Sequence, residues 1–286
     1  MVYLDLCTMD KHPVEQGIAR VVKTYELLDR VRLGRDITIR DDQFEAETLL
    51  DAARMARAKG IRMSLLDTGR FDRVGLERLI MTGVRLCTSD EARPAAPELE
   101  LLLKECRAAK SFTAYFHNGP LAAIAGPGSL SFQELGILAA QGMDVHMSNS
   151  VHARDFNMMG EMAAKARAGR SYFVYYHHGA PVEGLAALAA RGTWIHFSDR
   201  RLGKDAESEL AVGIVRAATA GGSRAAVHVE AGLPLELLER LFAAGAVILF
   251  LTPPSDYRSL ARPLERKALR RRLPVRAHWQ STAFLP

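Results

Sequence analysis

A parallel α/β fold, wound as a (β/α) barrel, is the architecture this sequence predicts, on three observations. Short β-like runs alternate with helical runs along the chain. The helical runs end in glycine just before the next strand at KGIRM, TGVRL, QGMDV, RGTWI and AGAVI, where Gly60, Gly83, Gly142, Gly192 and Gly245 can close a helix in the left-handed conformation. Strand starts recur at roughly 22 to 34 residues, near the length of one unit of a TIM-barrel-like fold.

In chain order the candidate strands are YLDLCT (3–8), ITIRDD (37–42), RMSLLD (62–67), VRLCTSD (84–90), FTAYFHN (112–118), DVHMSNS (144–150), YFVYYHH (172–178), WIHFSD (194–199), AAVHVE (225–230), VILFLT (247–252) and VRAHWQ (275–280). Two kinds of unit alternate: one strand ends in HNG, HHG or EAG and leads to a short helix, and the next ends in SDEAR, SNSVHAR, SDRR or PPSDYR and leads to a longer segment. The resulting period of about 50 residues suggests a duplicated two-strand module. These eleven strands exceed the eight positions of the common barrel, so a single domain over residues 1–286 with extra βα units is expected; an open α/β sheet or a solenoid is the alternative.

The chain has 286 residues, 48% apolar and 25% charged, enough for a sizeable core in a soluble globular protein. No apolar run approaches the roughly 18 residues of a membrane span, and MVYLDLCTMDKHP lacks the basic-then-apolar order of a signal peptide, so no membrane partner is expected. Cys7, Cys87 and Cys106 are too few for a disulfide framework and fit a cytoplasmic location. Much of the net charge of +5 lies near Arg270, Arg271 and Arg272, which reads as a solvated helix face and disfavours nucleic acid as a partner.

Parallel strands covered by helices on both faces should be almost continuously apolar, yet these alternate. One polar face is expected to carry Arg40 and Asp42, Cys87 and Ser89, Tyr115 and His117, His146 and Ser148, Tyr175 and His177, His196 and Ser198, His228 and Glu230, and His278. Such a face must meet water or a ligand, which predicts a polar, histidine-rich lumen. Ligands bind beyond the carboxyl ends of parallel strands, an edge that here also holds Asp41, Asp67, Asp90, Asn149 and Asp199.

These residues set the candidate chemistry. His177, His228 and Glu230 are expected to transfer protons, because imidazole titrates near neutrality. His177, His196, His228 and Glu230 could instead hold a divalent metal such as zinc, iron or manganese, although no HExxH or HxH pattern supports it. Arg40, Asp42, Tyr115, His117, His146, Ser198 and Arg200 are the candidate substrate contacts. Arg93, Arg154, Arg200, Arg201 and Arg258, just past strand ends, would make the mouth cationic and attract a small anionic substrate. No nucleophile elbow surrounds Ser89, Ser148 or Ser198. The glycine-rich stretch NGPLAAIAGPGSLSF (118–132) lacks the GK[ST] ending of a phosphate-binding loop and is a candidate lid.

Residues 37–93, with strand, helix, a strand ending in Leu66, Asp67, Thr68 and Gly69 where the family has TNG, a short helix and a further strand, resemble the first half of the radical SAM barrel. In that family a CxxxCxxC loop after the first strand binds a [4Fe-4S] cluster. Counted from Cys7, the second and third cysteine positions hold Lys11 and Val14, so no cluster is expected, and Arg40, Asp41, Asp42 and Gln43 stand where the family's GGEP-like segment would lie. The resemblance implies a degenerate, cluster-free relative.

Two functions follow. One is a barrel enzyme, a lyase, isomerase or metal-dependent hydrolase, acting on a small anionic substrate by histidine and carboxylate chemistry. The other is a non-catalytic accessory subunit that binds a peptide or an enzyme partner.

Overall fold

The computed structural model describes residues 24–34, 36–121, 130–202, 205–229, 233–250 and 275–277. The expected first strand (3–8), the tip of the glycine-rich loop, Glu230, Arg258 and His278 lie outside them. Helix α1 (Thr24–Arg32) leads to β1 (Ile37–Arg40), a short 3-10 turn and α2 (Ala46–Ala58). There follow β2 (Met63–Leu66), α3 (Arg73–Ile80), β3 (Arg85–Ser89), α4 (Ala96–Ala108), β4 (Thr113–His117), α5 (Phe132–Ala140), β5 (Asp144–Ser148) and α6 (Phe156–Ala168). The chain continues through β6 (Phe173–His177), α7 (Glu183–Ala190), β7 (Trp194–Ser198), a second 3-10 turn, α8 (Asp205–Ala220), β8 (Ala225–Val229), α9 (Leu235–Ala244), β9 (Val247–Phe250) and β10 (Val275–Ala277).

All ten strands form one sheet in chain order, and every ladder is parallel. The fold is a parallel (β/α) barrel in its repeat and strand order. Among the described residues no ladder joins β1 to β9 or β10. No helix among them is long and apolar enough to cross a membrane.

Local chemistry explains the regularity. Gly60, Gly83, Gly142, Gly192 and Gly245 all have positive φ, as the glycine-before-strand pattern predicted. Helices α4 and α6 end differently, with Lys110 and Arg170 in the left-handed region and a serine next. Ser171 and, after α8, Ser223 each donate to the last turn of a neighbouring helix, at Ala139 O and Ala189 O, both at 2.8 Å. At the other helix ends, Asp72 and Asp155 accept N-terminal amides, and Ser131 and Glu134 form a reciprocal capping box.

One phase of each strand packs against helices. Ile37, Ile39, Met63, Leu65 and Leu86 join a core with α1 to α4, and Val145, Met147, Phe173, Ile195, Phe197 and Val227 join a larger one with α4 to α9. Burying each large side chain contributes about 1.5–3 kcal/mol. On the inner face, Leu66, Cys87, Ala114, Phe116, Val174, Tyr176, Trp194, Ala226 and Val247 form a third cluster built from strand residues alone. The polar inner surface expected from the sequence is thus corrected: it is mixed, with these apolar residues beside Ser64, Arg85, Asp144, His146 and His196.

Helix spacing is tight where α5 meets α6. A Cβ on Gly169 would lie 2.2 Å from Ala139 O and 2.5 Å from Ala140 O, whereas one on Gly213, within α8, would meet nothing within 4 Å. Gly213→Ala is expected to raise the unfolding free energy by about 0.8–1 kcal/mol. Gly169→Ala is expected to lower it by about 1–3 kcal/mol. Urea unfolding of both variants checks the contrast.

Candidate functional site

The expected single polar face is two faces. Strand register pairs Phe116 with His146 and Tyr176 with His196, so these four share the inner side. The same ladders pair His117 with Met147 and His177 with Phe197, residues that pack on the helices. Tyr115, His117, Tyr175 and His177 therefore point to the helix side, while His146, Tyr176, His196 and His228 point inward. The sequence reading joined the two sets because each strand alternates correctly by itself, and only the inter-strand register fixes which phase faces which side.

On the inner face these side chains make a line across β5 to β8. His146 Nδ1 lies 3.1 Å from Tyr176 OH, the Tyr176 and His196 rings are 4.7 Å apart, and His196 Nδ1 lies 2.9 Å from His228 Nε2. All four are buried, His228 completely. Burial, assisted by the neighbouring His146, pushes the pKa of His196 down to about 3, so its ring is neutral at neutral pH.

Two neutral imidazoles joined Nδ1 to Nε2 have linked tautomers. If His196 carries its proton on Nδ1 and donates, His228 Nε2 must accept and His228 carries its own proton on Nδ1. If His228 Nε2 donates, His196 carries its proton on Nε2. The two rings therefore share the same tautomer, and switching both requires the shared proton to pass from His196 Nδ1 to His228 Nε2 while another proton reaches His196 Nε2 and one leaves His228 Nδ1, or the reverse. That is the elementary step of a proton relay.

This geometry replaces the proposed metal set. His177 is on the opposite face from His196 and His228, and Glu230 lies outside the described residues. Among the described residues no group of three or more His, Cys, Asp or Glu side chains could hold a metal. The 2.9 Å contact between the imidazole nitrogens is a hydrogen bond, which engages His196 Nδ1 and His228 Nε2 with each other.

His177, expected to be catalytic, is a pin for its own turn. Its Nε2 donates to Ala180 O at 2.8 Å and its Nδ1 faces Tyr175 OH at 3.5 Å, while burial lowers its pKa. His117 likewise donates from Nε2 to Pro120 O at 3.3 Å. Of the other expected substrate contacts, Arg40 is ion-paired with Asp42, Ser198 accepts from Arg200 N, and Arg200 is exposed.

The strand-end acids form a staple pattern that the sequence reading missed. Asp41 accepts from Thr68 N at 3.1 Å and Thr68 Oγ1 at 2.6 Å. Asp90 accepts from Asn118 N and Gly119 N, each at 2.7 Å. Asn149 accepts from His178 N at 2.7 Å and donates to His178 O at 3.0 Å. Asp41, Asp90 and Asn149, the residues just after β1, β3 and β5, each fasten the turn after the next strand, and the near-constant offset of 27, 28 and 29 residues was the available signal. Burial raises the Asp41 pKa to about 6 against the Thr68 hydrogen bonds that lower it.

The arginines past the strand ends are likewise committed. Arg93 pairs with buried Asp67 through Nε at 2.9 Å and Nη2 at 3.1 Å, and with Glu98 at 2.8 Å. Breaking such a buried pair typically costs about 3–5 kcal/mol. Arg154 donates to the carbonyls of Ser148 and Gly119 at 2.6 Å and of His117 and Asn118 at 3.3 Å. Arg93 and Arg154 clamp turns, which corrects their expected place in a cationic mouth. Cys87 and Cys106 are buried thiols, with burial raising both pKa values, Cys106 to about 11, so neither is an activated nucleophile.

No protein-family model and no curated protein matches the chain. Among solved structures, deoxyribose phosphate aldolase from Aeropyrum pernix aligns at 16% identity over 90% of this chain and 97% of that one, with a TM-score of 0.33. A truncated 3-deoxy-D-arabino-heptulosonate 7-phosphate synthase from Thermotoga maritima aligns at 13% identity over 85% and 90%, with a TM-score of 0.36. The β-methylaspartase from Clostridium tetanomorphum aligns at 11% identity over 88% and 75%, with a TM-score of 0.38. At these identities and TM-scores none of their activities extends to this chain.

The buried His196 ring makes a signed prediction. Its folded pKa of about 3 lies below the ordinary 6.5, so above pH 6.5 it is neutral in both folded and unfolded states. Below that the unfolded chain takes up a proton that the folded chain refuses, and stability falls with acidification. The stability difference between the wild type and His196→Leu should be flat above pH 6.5 and change against the wild type as pH drops towards 4, by up to about 1.4 kcal/mol per pH unit. Urea unfolding of both proteins across that range measures it.

Proposed function

We propose that this chain is an enzyme that moves protons to and from a small polar substrate, with the His196 and His228 pair as its acid–base centre and Tyr176 and His146 continuing the line. The observation that carries this reading is the 2.9 Å contact between two buried imidazoles on the inner face. A core needs no such pair, since aliphatic side chains fill a barrel interior at lower desolvation cost. Glu230, two residues beyond His228, is retained as a candidate carboxylate for the same centre. With Arg93 and Arg154 committed to turns, a preference for anionic substrates rests on the exposed Arg200 and on Arg201. A proton-transfer lyase or isomerase fits better than a metal-dependent hydrolase, because His196 and His228 bond each other.

The alternative is a non-catalytic, cluster-free accessory subunit related to radical SAM barrels, binding a peptide or an enzyme partner. The commitment of the strand-edge acids and arginines to staples favours it. Cys7, Lys11 and Val14, which bear on that resemblance, lie outside the described residues.

Exchange of substrate C–H for deuterium in D2O, followed by NMR over a panel of small hydroxy, keto and phosphorylated acids, detects proton transfer before the full reaction is known. The wild type is expected to catalyse exchange in at least one compound, with His196→Phe and His228→Phe reduced by about 10²–10⁴-fold. His177→Ala is expected to stay within a few-fold of the wild type. Loss of exchange in His177→Ala with full exchange in His196→Phe would reverse the assignment, and no exchange in any compound would favour the accessory subunit.

A further inference from the structure

Two neighbouring turns of this molecule are built from the same parts, and comparing them isolates one difference. After β6, Tyr175 OH faces His177 Nδ1 at 3.5 Å, His177 Nε2 donates to Ala180 O, and Asn149 uses both ends of its amide on His178. After β4, Tyr115, His117 and Asp90 stand in the corresponding places. His117 Nε2 donates to Pro120 O, and Asp90 Oδ2 accepts the amides of Asn118 and Gly119. Yet Tyr115 OH, His117 Nδ1 and Asp90 Oδ1 are all buried with no hydrogen-bond partner, in residues that are 0%, 1% and 7% exposed.

These three atoms belong to one locus. His117 Nδ1 lies 3.4 Å from Asp90 Oδ2, without the alignment of a hydrogen bond, and the Tyr115 and His117 rings stack with centroids 6.4 Å apart. With Nε2–H given to Pro120, Nδ1 of a neutral His117 is a bare acceptor, and so is Asp90 Oδ1. Tyr115 OH can donate. Buried polar atoms in native proteins are almost always satisfied, so three adjacent exceptions call for a common partner. Satisfying all three takes two O–H or N–H donors and one acceptor, which a water supplies, whereas an alcohol hydroxyl supplies one donor and one acceptor and satisfies two of them. Arg154 is near enough to feel the Asp90 charge and gives its hydrogen bonds to carbonyls, so a neutral partner is favoured over a cation.

We propose that Asp90, His117 and Tyr115 enclose a hydroxyl-oxygen site beneath the turn after β4, on the helix-facing side and separate from the His196 and His228 pair. Its occupant is water or the hydroxyl of a small alcohol, donating to Asp90 Oδ1 or His117 Nδ1, or to both where it is water, and accepting from Tyr115 OH. Because Asp90 and His117 also hold Asn118, Gly119 and Pro120, an occupant here braces that turn.

A crystal structure of the full chain, grown and frozen without polyols and resolved well enough to place ordered solvent, tests this. Density within about 3.2 Å of all three atoms is expected. An isolated peak identifies water, and density continuing towards the turn identifies a retained alcohol; either upholds the site. No density there, or Tyr115 OH turned onto His117 Nδ1 as in the β6 turn, overturns it. Tyr115→Phe supplies a second measurement: deleting a satisfied hydroxyl lowers the urea midpoint, whereas deleting an unsatisfied one leaves it unchanged or raises it. A fall at least as large as that in Tyr175→Phe is expected; an unchanged or higher midpoint overturns the proposal.

Discussion

The period-two pleat of a parallel strand, locked by its register with the next, is the constraint from which the rest of this structure follows. A strand sends alternate side chains to opposite faces, so each histidine is committed to one side by its position modulo two. His117 and His177 pass to the helix side and pin turns. His146, His196 and His228 pass to the inner side, where with Tyr176 they bond or stack in sequence across four adjacent strands. A one-residue slip in any of these ladders would exchange the two groups and dismantle the line.

The carboxyl edge of the sheet shows how a repeat can disguise architecture as chemistry. In most α/β proteins acids, amides and arginines gathered there suggest a binding site. Here Asp41, Asp90 and Asn149 fasten successive turns, while Asp67 and Arg93 form a buried ion pair. These groups stabilise the spacing between units, a task that recurs with the unit and so produces recurring motifs. What does not recur is more telling. The contact between imidazoles occurs between β7 and β8, and the unmatched atoms of Tyr115, His117 and Asp90 distinguish one turn from its otherwise similar neighbour.

Much of the fold was legible because it rests on local signals. Glycine before a strand reports a left-handed cap, and all five predicted caps have positive φ. Strand positions followed from alternating runs between turn residues. Less of the candidate site could be read. His146, His196 and His228 were recognised as inward-facing, but His117 and His177 were placed with them, since relative phase depends on inter-strand register and no single strand records it. The apolar filling of the inner face was also missed: Phe116 and Val174 occupy inner positions in strands whose helix-facing positions hold Tyr115 and Tyr175, so residue polarity pointed the wrong way. The Asp41, Asp90 and Asn149 staples were written in a regular offset, but the same residue types serve catalysis, and type alone does not separate the two uses.

The most direct test of the acid–base centre is the protonation pattern of its two rings. Long-range 15N–1H NMR correlation of the histidine side chains at neutral pH distinguishes Nδ1–H from Nε2–H in each imidazole. The account requires His196 and His228 to be neutral and to share a tautomer, both protonated on Nδ1 or both on Nε2, exchanging together if they exchange. Opposite tautomers would place two protons or two lone pairs against each other at 2.9 Å, and finding them would contradict the proposed centre.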